Sequence, residues 1–444
     1  MQENKLNLSK LKIHNPIYCN FNKTKKLKMK SKLQPESLMM THGYKPELSE
    51  GAVKPPIFQT STFAFKTAEE GKSFFEVAYG LREKEAGEET GLIYSRINNP
   101  NLEILEDRLC LWDKADQCAV FESGMSAIST VLLEFLKPGD LLLYSMPVYG
   151  GTDHFINYFL KSIGVESIGF RPNQSKKEIT ALIEASGFAS KLAMIYIETP
   201  ANPTNELIDI SLCKTIAEHY STKDKKVYLA VDNTYMGPIW SHPLAHGADL
   251  VMYSATKYIG GHSDLIAGAV LGNNEVMQRI KVLRTFLGNM ASPNTCWLLM
   301  RSLETLKVRM EQQARNAHEV ARFLKDHPQV SNLYYLGTIN SSDPSFEIYQ
   351  KQYSSAGAMI AFEIKGTEKE AFLFLNNLKL IKLAVSLGST ESLVQHPATM
   401  THAGVSPELK KAIGITEGLI RISIGIENHA DLIADISAAF HAVK

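Results

Sequence analysis

The chain has 444 residues, 44% of them hydrophobic, and its 47 lysines and arginines balance 47 aspartates and glutamates. That length supports a large core and two domains, and a net charge of zero argues against nucleic acid or a membrane surface as partner. No apolar run reaches the roughly 18 residues that span a bilayer. The five cysteines form no C-x-x-C pair, which argues against a disulfide framework or a zinc site and fits a reducing cytosol, so a cytoplasmic location is expected.

Residues 1–37 are set apart by the lysine-rich stretch "NKTKKLKMKSK". It lacks the apolar centre of a secretory signal and reads as a basic, disordered tail. Residues 38–95, with Pro46, Pro55 and Pro56, read as an extended arm that ends in a charged insertion at 80–91.

Between 96 and 300 short apolar runs alternate with helical stretches. "QCAVFE", "GDLLLYSMP", "KLAMIYIETP", "KKVYLAVDNTY" and "ADLVMYSATK" have the composition of buried parallel strands, and "SGMSAISTVLLEFL" has the apolar spacing of a helix. The pattern predicts an α/β fold, a large parallel sheet wrapped by helices. Ligands of such sheets bind beyond the carboxyl ends of the strands, which is where "ETP", "DNT" and "SATK" fall. Residues 301–328 read as one long amphipathic helix leading into a smaller α+β domain, 301–444. Strand-like "AGAMIAFEIKG", "KLAVSLGS" and "LIRISIGIE" and a helix near 368–378 fall within that domain.

The familiar nucleotide, zinc and serine-hydrolase signatures are missing. There is no G-x-x-x-x-G-K-[ST], no G-x-G-x-x-G after a strand and no G-x-S-x-G, and His318-Glu319 lacks the second histidine of H-E-x-x-H because Arg322 stands there. What remains is Lys257, placed after an apolar run among small and hydroxyl residues in "MYSATKYIGGHSD". A lysine in such a setting suits covalent attachment of an aldehyde cofactor, of which pyridoxal 5'-phosphate is the commonest. That cofactor needs an acid for its ring nitrogen, an aromatic stack and a phosphate cradle. Asp232 can serve the first, Tyr149 in "PVYGGT" the second, and Gly124 and Met125 at a helix start, with Ser254 and Thr256, the third. Taken singly, an aspartate after a strand is more often a turn residue, and a tyrosine beside glycines usually marks a turn. Together they meet most of the site's demands.

"YSRINNPN", "ESGMSAIS", "YGGT", "ETPANP", "VDNTY", "YSATKYIGGHSDLIAG", "LGSTESLVQHPATMTHAG" and "LIRISIGIE" occur in the order seen in a known family. From about Thr41 onward the chain resembles the Cys/Met-metabolism, or transsulfuration, family of pyridoxal-phosphate enzymes. The resemblance implies a fold type I, aspartate-aminotransferase-like architecture. It also implies a carbon–sulfur lyase of cysteine and methionine metabolism acting on cystathionine or methionine by β- or γ-elimination. γ-Replacement, as in cystathionine γ-synthase or O-acetylhomoserine sulfhydrylase, is the alternative within the family, and a non-catalytic cofactor-binding regulator is the alternative outside it.

The resemblance further implies that Lys257 carries the cofactor and moves the Cα proton. Tyr149 stacks on the ring and assists, Asp232 pairs with the ring nitrogen, and Asn202 bonds the 3'-oxygen. Gly124, Met125, Ser254 and Thr256 hold the phosphate, and Tyr94 and Arg96 reach the phosphate of a neighbouring subunit. Arg421 clamps the substrate carboxylate with the help of Ser386, a planar task that suits arginine. A homotetramer, a dimer of dimers with shared sites, follows from the same resemblance. His262 and His396 are expected to pack and hydrogen-bond. Ile93, His154 and Gly151 depart from the cystathionine- and methionine-specific subfamily patterns, whereas Glu391 agrees with the cystathionine-handling members.

Overall fold

The computed structural model describes residues 33–85, 88 and 91–443, so the lysine-rich stretch of the tail lies outside the described residues. The end of the predicted tail is ordered as a short helix, Pro35–Leu38, and Met39 behind it is 1% exposed.

Among the described residues, twelve strands form two sheets. The large sheet contains β1 (Gln117–Phe121), β2 (Leu141–Ser145), β3 (Glu166–Phe170), β4 (Leu192–Glu198), β5 (Tyr228–Asp232), β6 (Leu250–Tyr253) and β7 (Gly268–Gly272), in the order β1-β7-β6-β5-β4-β2-β3. Strands β3, β2, β4, β5 and β6 run parallel. β7 is antiparallel to both its neighbours, so the sheet is mixed rather than wholly parallel as expected from sequence. The connection from β6 to β7, residues 254–267, holds only the short helical turn Thr256–Gly260 and no crossover helix of the kind that joins parallel neighbours.

Alternation along the strands decides which residues face which layer. Ile195 and Ile197 of β4 and Leu229 and Val231 of β5 join one core cluster. Met194 and Tyr196 of β4 and Ala230 of β5 join the other, beneath the helix Gly124–Phe135. Each of these fully buried aliphatic side chains contributes roughly 1.5–3 kcal/mol. The same period of two carries Glu198 and Asp232, the last residues of β4 and β5, onto the face of Tyr196 and Ala230.

The small sheet contains β8 (Val330–Tyr334), β9 (Met359–Ile364), β10 (Lys382–Leu383), β11 (Leu393–Gln395) and β12 (Leu419–Ser423), in the order β10-β11-β12-β9-β8. Ile420 and Ile422 of β12 pack with Phe362, Phe374 and Phe440 in a shared core. Leu419 faces the other way, and so, two residues on, does Arg421, which lies in register with Gln395 and Ala361.

Two further expectations are corrected. The long helix is two helices, Pro293–Leu303 and Leu306–Lys325. Arg309 donates to the carbonyls of Ser302 and Tyr258, at 3.0 and 2.9 Å, and takes the place of a continuing turn. The extended arm contains a helix, Ala68–Ala78, capped by Thr67, whose side chain accepts from the Glu70 N–H. Thr67 and Glu70 form the T-x-x-E start signal that marks such a helix in sequence.

Candidate active site

The carboxyl ends of β4, β5 and β6 open onto a cavity of about 520 Å³, within the range of small-molecule sites. Gly124, Met125, Tyr149, Asn202, Asp232, Ser254, Thr256, Lys257, Ser386 and Arg421 all line it. Of the predicted cofactor- and substrate-binding residues, Tyr94 and Arg96 do not. Tyr94 bridges to Thr62, and Arg96 donates to the Thr285 carbonyl at 2.7 Å.

Lys257 follows β6 at the start of a short helical turn, Thr256–Gly260. Its Nζ donates to Ser386 Oγ at 2.8 Å. Burial, then the positive charge of Arg421, lowers its pKa to about 8, so the amine loses its proton far more readily than an exposed lysine. Arg421 is 4% exposed. It donates to the Ser386 carbonyl at 2.7 Å and to Asn202 Oδ1 at 3.1 Å, while its Nε is buried without a partner. A buried guanidinium with a donor unused is arranged for an anion that is brought to it. Ser386, which contacts both cations, has a φ of 115°, a region that costs a non-glycine residue roughly 1–3 kcal/mol.

At the other end, Ser123 caps the helix Gly124–Phe135 by accepting from the Ser126 N–H. The first N–H groups of such a helix are free of intrahelical partners and favour an anion. The space is tight: a Cβ on Gly124 would lie 2.8 Å from Ser254 Cβ. Thr256 is more committed than its sequence suggested, because its hydroxyl donates to the Ala267 carbonyl and accepts from the Ala267 N–H.

Beneath the cavity, Asp232 accepts from the Thr234 N–H at 2.9 Å. Glu198, its register partner on β4, accepts the Tyr149 N–H on both oxygens, at 2.9 and 2.8 Å. Burial, then the neighbouring Asp232, pushes the Glu198 carboxyl well above the usual range. Asp232 is also raised by burial, against the opposing hydrogen bonds from Thr234 and Tyr196. Glu198 and Tyr235, whose hydroxyl donates to Asn202 Oδ1 at 2.8 Å, were not singled out from sequence, although both stand inside the strand-end clusters. His262 bonds to the Gly260 carbonyl. Buried His396 bonds to Thr399 and the Glu417 carbonyl.

The sequence profile of the family described as "Cys/Met metabolism PLP-dependent enzyme" matches residues 36–441. The chain belongs to this family. Its cofactor is accordingly pyridoxal 5'-phosphate, and the lysine, the buried carboxylates and the helix start that line one cavity fit that molecule's aldehyde, ring nitrogen and phosphate. Among known members, the L-methionine gamma-lyase of Porphyromonas gingivalis is 41% identical over 397 residues, 89% of this chain and 94% of that protein. The cystathionine gamma-lyase of Bacillus subtilis is 38% identical over 412 residues, 93% of this chain and all of that protein. A solved cystathionine gamma synthase from Xanthomonas oryzae, in complex with aminoacrylate and cysteine, superposes with a TM-score of 0.81 at 31% identity. That match covers 93% of this chain and 98% of the other. The likeness extends to both sheets, so this Cys/Met-metabolism enzyme has the fold type I architecture expected. No helix among the described residues is long and apolar enough to cross a membrane.

Proposed function

We propose that the enzyme is a carbon–sulfur lyase that cleaves a sulfur amino acid, methionine or cystathionine, to a thiol, ammonia and a 2-oxo acid. The observation that carries this is the convergence of Lys257, held in a lowered-pKa state, with the buried, half-partnered Arg421 at one end of a cavity whose other end is a helix start. The lyase names of the relatives support the reaction class.

Bound there, pyridoxal 5'-phosphate supplies an electron-poor ring that accepts the charge left when a substrate's Cα loses its proton. Lys257 Nζ would hold the cofactor's aldehyde carbon and is placed to take the Cα proton. A pKa near 8 suits an amine that must be neutral to do this near neutral pH. Arg421 receives the substrate carboxylate on the edge that includes its unpartnered Nε. Asn202 Oδ1 is occupied by Tyr235 and Arg421, which leaves its amide N–H groups to donate to the cofactor's 3'-oxygen. Asp232 would face the protonated ring nitrogen as a carboxylate, and Tyr149 would cover the ring. Gly124, Met125 and Ser254 take the phosphate. Thr256 joins them only by giving up its bond to Ala267. Ile266, Val385 and Met400 line the same cavity and offer apolar surface to a thioether. Tyr94 and Arg96 are assigned to the phosphate of a second copy, in a homo-oligomer with shared sites in the cytoplasm.

Purified protein incubated separately with L-methionine, L-cystathionine and an O-acylated homoserine tests the reading. 2-Oxobutyrate from methionine or cystathionine marks γ-elimination, and pyruvate from cystathionine marks β-elimination. Thioether accumulation from the acylated homoserine and a thiol, with little keto acid, would instead favour γ-replacement, the reaction class suggested by the synthase likeness.

A further inference from the structure

We propose that Glu198 is a positioning residue for the cofactor. In this role it remains neutral, keeps Asp232 the ionised member of the pair through the Tyr196 hydroxyl, and anchors Tyr149 by its backbone amide. The inference rests on the roles proposed above for Asp232 and Tyr149.

Glu198 and Asp232 end adjacent parallel strands in direct register and are 7% and 8% exposed. The Tyr196 hydroxyl stands between them, 3.4 Å from Glu198 Oε1 and 3.5 Å from Asp232 Oδ2. A phenol has one proton to donate. If both acids were ionised, one carboxylate oxygen would face its lone pair, whereas one proton on the pair satisfies every contact: one carboxyl donates to Tyr196, and Tyr196 donates to the other carboxylate. The surrounding charges decide which acid ionises, since each acid receives a backbone N–H and lies within reach of the Tyr196 hydroxyl. Asp232 receives the Thr234 backbone N–H in addition to Tyr196, and the protonated ring nitrogen would face it. Glu198 receives the Tyr149 N–H, but the largest charges acting on it, those of Asp232 on β5 and Asp153 in the short helix Gly150–His154, are both negative. Lys257 and Arg421 line the same cavity, and their nearest polar partners are Ser386 and Asn202 rather than Glu198. The proton therefore belongs on Glu198, and the chain runs Glu198 to Tyr196 to Asp232.

The test titrates the cofactor-free wild type and the variants Glu198→Gln, Glu198→Ala and Tyr196→Phe with pyridoxal 5'-phosphate. The measurements are the dissociation constant, the pH dependence of the bound cofactor's absorption bands and the melting temperature. Glu198→Gln is neutral, donates to Tyr196 through its amide nitrogen and accepts the Tyr149 N–H on its one oxygen, so its spectroscopic titration should coincide with that of the wild type. Tyr196→Phe removes a donor from an ionised carboxylate and should weaken cofactor binding about tenfold. Glu198→Ala frees the Tyr149 amide and should weaken binding and shift the titration together. A displacement of the Glu198→Gln titration by a unit or more would mean that Glu198 is an anion. Tyr196→Phe indistinguishable from wild type would mean that the hydroxyl links nothing. Either result overturns the proposal while leaving the lyase reading intact, whereas a wild type that takes up no cofactor fails both.

Discussion

Lys257 and Ser386, 129 residues apart in the chain, are joined by a 2.8 Å hydrogen bond from the lysine Nζ to the serine Oγ. The carbonyl of the same serine accepts from Arg421. One residue thus sets the distance between the proposed proton carrier and the proposed carboxylate clamp, and its backbone at φ 115° is the strained cost of reaching both.

Ser386→Ala and Ser386→Gly separate these contributions. Both lose the hydroxyl and keep the carbonyl, so turnover should fall about tenfold, the worth of one hydrogen bond to the neutral amine, with a smaller change in KM. Glycine tolerates a positive φ, so Ser386→Gly should be more stable than Ser386→Ala by about 1 kcal/mol. Steady-state kinetics and thermal melts check both statements.

Lys257 also leaves a signature in stability. Its pKa is about 8 when folded against 10.5 when exposed. Between these values the unfolded chain binds more protons than the folded one, so stability from this group rises with pH. The penalty is complete below about pH 8 and vanishes by pH 10.5. Cofactor-free Lys257→Met should therefore melt higher than the cofactor-free wild type at pH 7, with the gap closing as pH rises from 8 to 10.5. A gap constant with pH would contradict the lowered pKa.

Much of this site was legible because parallel strands all present their carboxyl ends to one edge. "ETP", "DNT" and "SATK" needed only the assumption of a parallel sheet to converge. Arg421 and Ser386 were legible only through resemblance, since nothing local to "LIRIS" says that β12 faces the large sheet. Glu198 stood in plain view in "ETP", yet its pairing with Asp232 depends on the register of β4 against β5, which neither strand encodes alone. The antiparallel β7 was missed for a similar reason: "GAVLG" has too little side-chain surface to announce a strand. At the break at Glu304 and Thr305, Arg309 captures the carbonyl of Ser302 from the preceding helix and that of the distant Tyr258, and the latter is a tertiary contact that helical periodicity does not announce.

The phosphate end makes its own prediction. A methyl group on Gly124 would press on Ser254, whose Oγ lies 2.9 Å from the added carbon. Gly124→Ala should destabilise the protein by about 1–3 kcal/mol through overpacking. It should also shed cofactor on dialysis against inorganic phosphate faster than the wild type. A variant that retains its cofactor as well as the wild type would remove this cradle from the site.

His402, 2% exposed in the 396–404 segment that lines the cavity, bonds through Nδ1 to Thr401 at 3.0 Å and leaves Nε2 buried without a partner. Burial, then the charges of Arg421 and Lys410, lowers its pKa from 6.5 to about 4. The folded protein keeps this ring neutral while the unfolded chain protonates it, so the group contributes stability that is complete above pH 6.5 and lost as pH falls toward 4. The full loss is about 3 kcal/mol. His402→Gln retains a polar side chain without the titration. Melting the wild type and the variant in parallel from pH 7.5 to 4 should give curves that hold a fixed separation above pH 6.5. Below it the wild type should lose ground steadily. Parallel curves over the whole range would show that the ring is protonated in the folded protein and that the segment tolerates a cation beside Arg421.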